Sequence, residues 1–128
     1  MKAQELRVGN YVYDTIANAV VEVVLIRSIH RDDRIITLPS RWNCRIEEFN
    51  PISLTEEWLL KLGFNFDDDC GWITDFITGF YMFELAELSE NGYELRVNDE
   101  YNTGCKIKFV HQLQNLYFVL TGEELKTK

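Results

Sequence analysis

The chain has 128 residues, of which 46% are hydrophobic and 13% aromatic, and its formal net charge at pH 7 is −8. This length fits one domain or two small lobes, and the composition supplies enough apolar surface for a folded core, which argues against a disordered chain. The start MKAQELRVGN has no apolar run behind Lys2, and no stretch reaches the roughly 20 apolar residues of a membrane helix, so we predict neither a secretory signal nor a membrane span.

The charge is unevenly distributed along the chain. Residues 1–50 hold seven basic and seven acidic side chains, so the whole excess of negative charge lies in residues 51–128. This second part repels phosphate and is not expected to bind nucleic acid. The cysteines, Cys44, Cys70 and Cys105, are odd in number and widely spaced. They predict reduced thiols in a cytoplasmic protein, with neither a disulfide framework nor a zinc site.

Residues 1–50 read as short strands joined by tight turns. β-branched residues dominate the predicted strands, which are Leu6–Asp14, Ala19–Ile29, Arg34–Leu38 and Cys44–Phe49. Close spacing of such strands predicts a small antiparallel barrel. The opening leucine, the Val-Gly-Asn-Tyr-Val segment and the valine-rich strand that follows resemble SH3-like barrels.

Within this lobe the segment RWNCR, from Arg41 to Arg45, carries an alternative function. The Trp42 ring between Arg41 and Arg45 is suited to stacking on a base while the guanidinium groups hold phosphate. In the structural interpretation, Trp42 instead covers the barrel core, and the arginines are solvated or pair with Glu47 and Glu48. We favour the structural interpretation, because the net charge of the protein opposes nucleic acid.

Residues 51–128 begin with a predicted helix in TEEWLLKLGF. Ser53 and Thr55 compete as the N-cap, and we choose Thr55, because it places Leu54 and Leu59 as a hydrophobic staple. Two glutamates then fall in the first turn, where the helix dipole favours them. Lys61 near the end and Gly63 just after it predict the C-terminus of this helix.

Strands are predicted after this helix. The acidic stretch NFDDDCGW lacks the ligand spacing of a calcium loop, so we predict a solvated turn and no metal site. The Asn91-Gly92 pair favours a two-residue hairpin turn, with Leu88 opposite Leu95 and Glu87 opposite Arg96. KIKF, starting at Lys106, predicts a third strand of a β-meander. The chain is therefore predicted as α+β, with a barrel lobe at 1–50 and a helix–meander–helix lobe at 51–128, or as one continuous domain.

The last predicted helix lies in VHQLQNLYFVLTGEEL and has no charged residue from Val110 to Leu120. Apolar residues form one stripe that we expect to be buried on the sheet: Val110, Leu113, Leu116, Tyr117 and Leu120. The opposite side carries His111, Gln114, Asn115 and Phe118. Amides and a neutral imidazole cost less to desolvate than ions do, so this uncharged face predicts burial within the protein or contact with a partner.

Catalytic motifs are missing from the sequence. No nucleophile elbow, phosphate loop, zinc-protease motif or dinucleotide fingerprint occurs. A histidine base needs a nucleophile or an orienting carboxylate within hydrogen-bond reach, and the only histidine besides His111 is His30, at an arginine-flanked strand end. We predict a protein without catalytic activity, cofactor or metal.

Two segments carry a resemblance to a known family. PISLTEEWLLKLGF, from Pro51 to Phe64, and FVHQLQNLYFVLTGEEL, from Phe109 to Leu125, resemble signatures of small uncharacterised proteins from gut bacteria. Proteins of that family are often encoded in prophages or other mobile elements. The resemblance implies a cytoplasmic accessory protein and assigns no catalytic residue.

The sequence therefore predicts a non-enzymatic protein that acts through contacts with a protein partner or with its own copies. The predicted contact residues are His111, Gln114, Asn115 and Phe118, with Trp58 at the junction of the lobes. One alternative is nucleic-acid binding through the RWNCR segment. Another is that the acidic surface mimics nucleic acid and inhibits a phosphate-binding host protein.

Overall fold

A computed structural model describes residues 1–29, 32–38, 41–68, 71–73, 77–78, 81–88, 92–97 and 101–127. These residues form two antiparallel sheets and two α-helices, so the predicted α+β class is confirmed. The chain divides into two compact units. Unit 1 comprises Met1–Ile52 and Val110–Asn115, and unit 2 comprises Ser53–Phe109 and Leu116–Lys128. Among the described residues, no helix is long and apolar enough to cross a membrane.

Unit 1 contains a five-stranded antiparallel sheet in the order β4-β3-β2-β1-β5. Its described strands form an open sheet, with β4 and β5 at the two edges. The predicted fourth strand at Cys44–Phe49 was misplaced, because a short 3-10 turn occupies Ile46–Glu48. The strands are β1 (Tyr11–Asp14), β2 (Ala19–Ile29), β3 (Asp32–Leu38), β4 (Arg41–Arg45) and β5 (Phe49–Asn50).

The core of unit 1 follows from the alternation of side chains along β1 and β2. Val12 lies opposite Val21, and both are buried on the same face of the sheet. The other core members are Leu6, Val23, Cys44 and Phe49. Asp14 is also buried, and its carboxylate accepts hydrogen bonds from the backbone N–H groups of Ile16 and Ala17. Those bonds hold the turn that leads into β2.

Unit 2 contains a six-stranded antiparallel sheet, in which the order β11-β10-β9-β7-β6 is extended by β8 pairing with β9. The acidic stretch predicted as a turn contributes strand residues on both sides, at β6 and β7; Asp69 and Cys70 between them lie outside the described residues. The strands are β6 (Asn65–Asp67), β7 (Gly71–Ile73), β8 (Ile77–Thr78), β9 (Tyr81–Glu87), β10 (Tyr93–Val97) and β11 (Tyr101–Ile107).

Helix α1 (Glu56–Lys61) begins and ends as predicted. The Thr55 hydroxyl accepts a hydrogen bond from the Trp58 N–H at 3.3 Å, which confirms Thr55 over Ser53 as the N-cap. Leu54 and Leu59 are both buried, in agreement with the staple. Gly63 follows the helix with φ of 91°, the left-handed conformation in which glycine commonly closes a helix.

The hairpin of β9 and β10 is confirmed, but its predicted register is wrong, and Asn91 of the predicted turn lies outside the described residues. Leu95 lies opposite Leu85 rather than Leu88, and Arg96 lies opposite Glu84 rather than Glu87. The connection runs from Leu88 to Gly92, with the Leu88 N–H donating to the Gly92 carbonyl at 3.0 Å. This register buries Leu85 and Leu95 as a direct pair, which outweighs the turn preference of Asn91, a residue outside the described part of the chain.

Helix α2 (Val110–Thr121) confirms the predicted last helix, although its burial differs from the predicted stripe. Val110, His111, Leu113 and Gln114 are buried, whereas the predicted core residues Leu116, Tyr117 and Leu120 are only half-buried. The uncharged side of the first half of the helix is therefore shielded from water. The end of the helix follows the prediction, because Gly122 has φ of 76° and its N–H donates to the Phe118 carbonyl.

Candidate functional site

The first half of α2 belongs to unit 1, where Gln114 hydrogen-bonds to the backbone at the start of β1. Its side-chain oxygen accepts from the Tyr11 N–H at 2.8 Å, and its side-chain nitrogen donates to the Gly9 carbonyl at 3.1 Å. Gln114 is fully buried. An amide suits this position because it both donates and accepts, whereas a carboxylate only accepts and an ammonium only donates.

Asn115 extends this arrangement on the neighbouring position of the helix. Its side-chain nitrogen donates to the Glu5 carbonyl at 2.8 Å, and its oxygen accepts from the Asn10 side chain at 2.9 Å. Asn10 is fully buried, and its own oxygen accepts from the Arg7 N–H at 2.7 Å. We call Asn10, Gln114 and Asn115 the amide network. Its members use their hydrogen-bonding groups inside unit 1, so Gln114 and Asn115 have an internal structural role.

His111 is placed in unit 1 beside this network. Its side chain is only 2% exposed. Burial lowers the pKa of the imidazole, and the negative charge of Glu5 opposes that effect in part. His111 is therefore a buried neutral histidine near pH 7, and a partner cannot reach it without local opening of unit 1.

Phe118 and Trp58, the remaining predicted contact residues, lie in unit 2. Both side chains are half-buried. The Lys61 ammonium lies 5.1 Å from the centroid of the Trp58 ring, close enough for a cation–π contact. Val119, next to Phe118, is 76% exposed. The exposed apolar surface of α2 therefore lies in its second half.

The RWNCR segment forms strand β4. Arg45 is exposed, and the side chains of Arg41 and Trp42 lie outside the described part of the structure. The strand register adds a feature that the sequence did not reveal. Arg34 pairs with Arg45 on one side and with Arg27 on the other, so three arginines occupy one row across neighbouring strands. We call Arg27, Arg34 and Arg45 the arginine row.

Unit 2 holds a cleft of about 950 Å³, which we call the unit-2 cleft. Four segments form its wall: the chain leading into α1, the end of β9, the start of β10 and the link from β11 to α2. The lining residues are Ser53, Leu54, Thr55, Glu56, Glu87, Leu88, Gly92, Tyr93, Lys108 and Phe109. The wall of the cleft mixes polar and apolar side chains.

Backbone pairing holds the four segments of the unit-2 cleft together. The Leu54 N–H donates to the Lys108 carbonyl at 2.8 Å, and Ser53 forms a β-bridge with Phe109. At the hairpin end, Gly92 has φ of 114°, a conformation that residues with a side chain rarely adopt, and little space for a Cβ atom. A Cβ atom there would lie 3.0 Å from the Ile107 carbonyl oxygen. The wall of the cleft is thus built from regular backbone contacts.

Tyr93 is the most buried polar side chain in the wall of the unit-2 cleft. Its backbone is paired on both sides, and only 4% of the residue is exposed. Burial raises the pKa of its phenol, and the negative charges of Glu87 and Glu56 raise the pKa further. Both glutamates also line the cleft. Tyr93 stays protonated and neutral at pH 7, because ionisation would place a third negative charge beside them.

The sequence missed the unit-2 cleft, because its lining residues are spread from Ser53 to Phe109 and carry no short motif. Only the N-cap at Thr55 and the hairpin turn indicated where two of its walls begin. Among the described residues, no group of three or more His, Cys, Asp or Glu side chains is arranged to hold a metal ion.

We compared the chain with protein-family models, curated proteins and solved structures, and none of the three comparisons gave a significant match.

Proposed function

We propose that the chain is a non-enzymatic accessory protein that binds a segment of another protein in the unit-2 cleft. The observation that carries this proposal is the convergence of a buried tyrosine, two carboxylates and apolar side chains on one cleft of about 950 Å³. A cleft with these features is the natural first candidate for a binding site. Half-buried Phe118 and Trp58 supply additional contact surface in the same unit.

Binding fits the chemistry of the unit-2 cleft better than catalysis does. The raised pKa of Tyr93 leaves a neutral phenol, which is a weak base at pH 7. The Thr55 hydroxyl already accepts a hydrogen bond from the helix backbone. Among the described lining residues there is no histidine or cysteine, so the usual nucleophile and base pairs cannot form there.

Peptide display tests this proposal, because it samples many partner sequences at once. A random peptide library is selected on the full chain, and the enriched peptides are measured on Ser53→Trp, which places a bulky side chain at the exposed rim of the unit-2 cleft. Glu57→Trp, on the first turn of α1 outside the cleft, is the matched control. We expect enriched peptides that bind the full chain and the control but lose about tenfold or more affinity on Ser53→Trp. Enrichment of no peptide, or equal binding to both variants, would overturn the proposal.

The arginine row favours a second candidate function, nucleic-acid binding by unit 1. Arg34 lies opposite Arg45 on the neighbouring strand, and two guanidinium groups on adjacent strands are suited to holding neighbouring phosphates of one chain. The backbones of Arg27 and Arg45, the outer residues of the row, are about 10 Å apart, because two strand spacings separate them. We expect salt-sensitive binding of single-stranded DNA that Arg34→Glu and Arg45→Glu abolish, with Lys61→Glu in unit 2 as the control. No fluorescence anisotropy change at low salt would remove this candidate.

Three further interpretations are proposals with indirect support. The five-stranded antiparallel sheet of unit 1 supports the proposed SH3-like barrel, and the family resemblance supports a cytoplasmic accessory role. The free thiols of Cys44 and Cys105 are consistent with a reducing compartment. The acidity of residues 51–128 supports mimicry of nucleic acid, and competition of the protein with DNA for a phosphate-binding host protein tests that alternative.

A further inference from the structure

We infer that the unit-2 cleft binds the cationic side chain of an arginine or lysine in the partner segment, an inference that rests on the proposed protein-binding role. Three features of the cleft carry it. They are the two carboxylates, the phenol group of Tyr93 and the apolar residues around them.

The two carboxylates come from different walls of the unit-2 cleft. Glu56 is the first residue of α1, and Glu87 is the last residue of β9. Both side chains are exposed in a cleft that is open to solvent. Both residues line the same cleft, so their negative charges act on one region of it. A guanidinium or ammonium group placed there gains charge-assisted hydrogen bonds to carboxylates, which are stronger than neutral ones.

The Tyr93 phenol supplies an acceptor and an aromatic ring at the same place. The side chain is almost fully buried and lines the unit-2 cleft. A neutral phenol oxygen is able to accept a hydrogen bond from a cation, and an aromatic ring also attracts a nearby cation.

Apolar residues in the unit-2 cleft match the stem of an arginine or lysine. Leu54, Leu88 and Phe109 line it and are buried or half-buried. Long basic side chains commonly place their methylene groups on such surface while the charged end reaches polar groups. A free metal ion or a small inorganic cation would leave this apolar part of the wall unused.

The balance of charge decides the sign of the ligand. Glu56 and Glu87 oppose one cationic lining residue, Lys108. The surrounding residues 51–128 carry the whole net charge of −8, so the long-range field also favours a cation over a phosphate. Lys108 weakens the site for a cation, which provides a test with a defined sign.

Isothermal titration of the full chain with a display-selected peptide tests the inference. The peptide is compared with a copy in which citrulline, a neutral analogue of nearly the same shape, replaces arginine, or acetyl-lysine replaces lysine. We expect the neutral copy to bind about tenfold or more weakly, because it lacks the charged end of the side chain. We expect the same loss for Glu56→Gln and Glu87→Gln, no loss for the matched control Glu57→Gln, and tighter binding for Lys108→Gln.

The outcomes separate the two proposals. In one outcome, peptides need an open unit-2 cleft and yet bind equally well in the neutral form. That result would overturn the inference that the cleft binds a cationic side chain, and it would leave the proposal of protein binding intact. Weaker peptide binding to Lys108→Gln would also overturn it, because that result indicates an anionic group. Spermidine that binds as tightly as the peptide would overturn the assignment to a protein partner. If no peptide depends on the cleft, both proposals fail.

Discussion

The side-chain oxygen of Gln114 accepts a hydrogen bond from the backbone N–H of Tyr11 at 2.8 Å. This bond joins residues 103 positions apart in the sequence and lies entirely within unit 1. The nitrogen of the same amide donates to the Gly9 carbonyl. One uncharged side chain thus satisfies two buried backbone groups, which explains why the first half of α2 carries amides where most helices carry lysine and glutamate.

Replacing Gln114 should therefore destabilise the protein strongly. Gln114→Leu keeps the approximate size of the side chain but removes the hydrogen-bond partners of the Tyr11 N–H and the Gly9 carbonyl. We expect the free energy of unfolding to fall by about 2–4 kcal/mol, since each buried group left without a partner costs about 1–3 kcal/mol. Urea unfolding measures this change, and Gln4→Leu, at an exposed glutamine of the same unit, should cost less than about 1 kcal/mol. Equal losses for the two variants would contradict the internal role of Gln114.

The buried His111 predicts a pH dependence of stability with a defined sign. Its folded-state pKa lies below the unfolded value of about 6.5, so between these two values the unfolded chain binds more protons. The contribution of neutral His111 to the free energy of unfolding is therefore complete above about pH 6.5, and it is lost as the pH falls below that value.

Urea unfolding at pH 7.5 and pH 5.5 measures this contribution, because most carboxylates stay ionised over that interval. We expect the natural protein to be less stable at pH 5.5, and we expect His111→Gln to remove most of the difference. A His111→Gln variant with the same pH dependence as the natural protein would show that another group titrates in this interval.

Gly92 should tolerate alanine much less well than Gly104 does. Both glycines have positive φ, but a Cβ at Gly92 would lie 3.0 Å from the Ile107 carbonyl oxygen, whereas a Cβ at Gly104 would meet nothing within 4 Å. We expect Gly104→Ala to cost about 1 kcal/mol for its backbone strain alone and Gly92→Ala to cost at least about 2 kcal/mol. Thermal unfolding of the two variants checks the order, and a reversed order would contradict the close packing of the hairpin end on the link to α2.

Local signals in the sequence predicted the local parts of the fold. The start of α1 depends on Thr55 and on residues within one turn of it, and the end of α2 depends on Gly122. Neighbouring residues decide both, so the sequence was sufficient. The α+β class followed for the same reason, because β-branched runs and an apolar helix each have a recognisable period.

The parts that failed depend on residues far apart in the sequence. The register of the β9–β10 hairpin was wrong by three residues, because burial of Leu85 against Leu95, with Trp72 opposite Leu85, outweighs the turn preference of Asn91. The uncharged face of α2 correctly indicated that this side of the first half of the helix is shielded from water. Its partners, however, are backbone groups near Gly9, which no periodicity in the helix can indicate.

The unit-2 cleft shows the same limit of sequence reasoning for function. Glu56 and Glu87 are 31 positions apart and belong to a helix and a strand. Neither is part of a motif, and their relation appears only when the hairpin end packs beside the chain leading into α1. The arginine row likewise depends on the register of three strands rather than on the RWNCR segment alone.

Nuclear magnetic resonance mapping of the binding surface tests the central claim most directly. Amide shifts of the full isotope-labelled chain are recorded while an arginine-containing peptide from the display selection is added. We predict that the largest shifts fall at the unit-2 cleft, at Leu54, Glu87, Leu88, Tyr93 and Lys108, and that the citrulline copy needs about tenfold or more higher concentration to produce them. Shifts concentrated in unit 1, or none in the cleft at saturating peptide, would contradict the account.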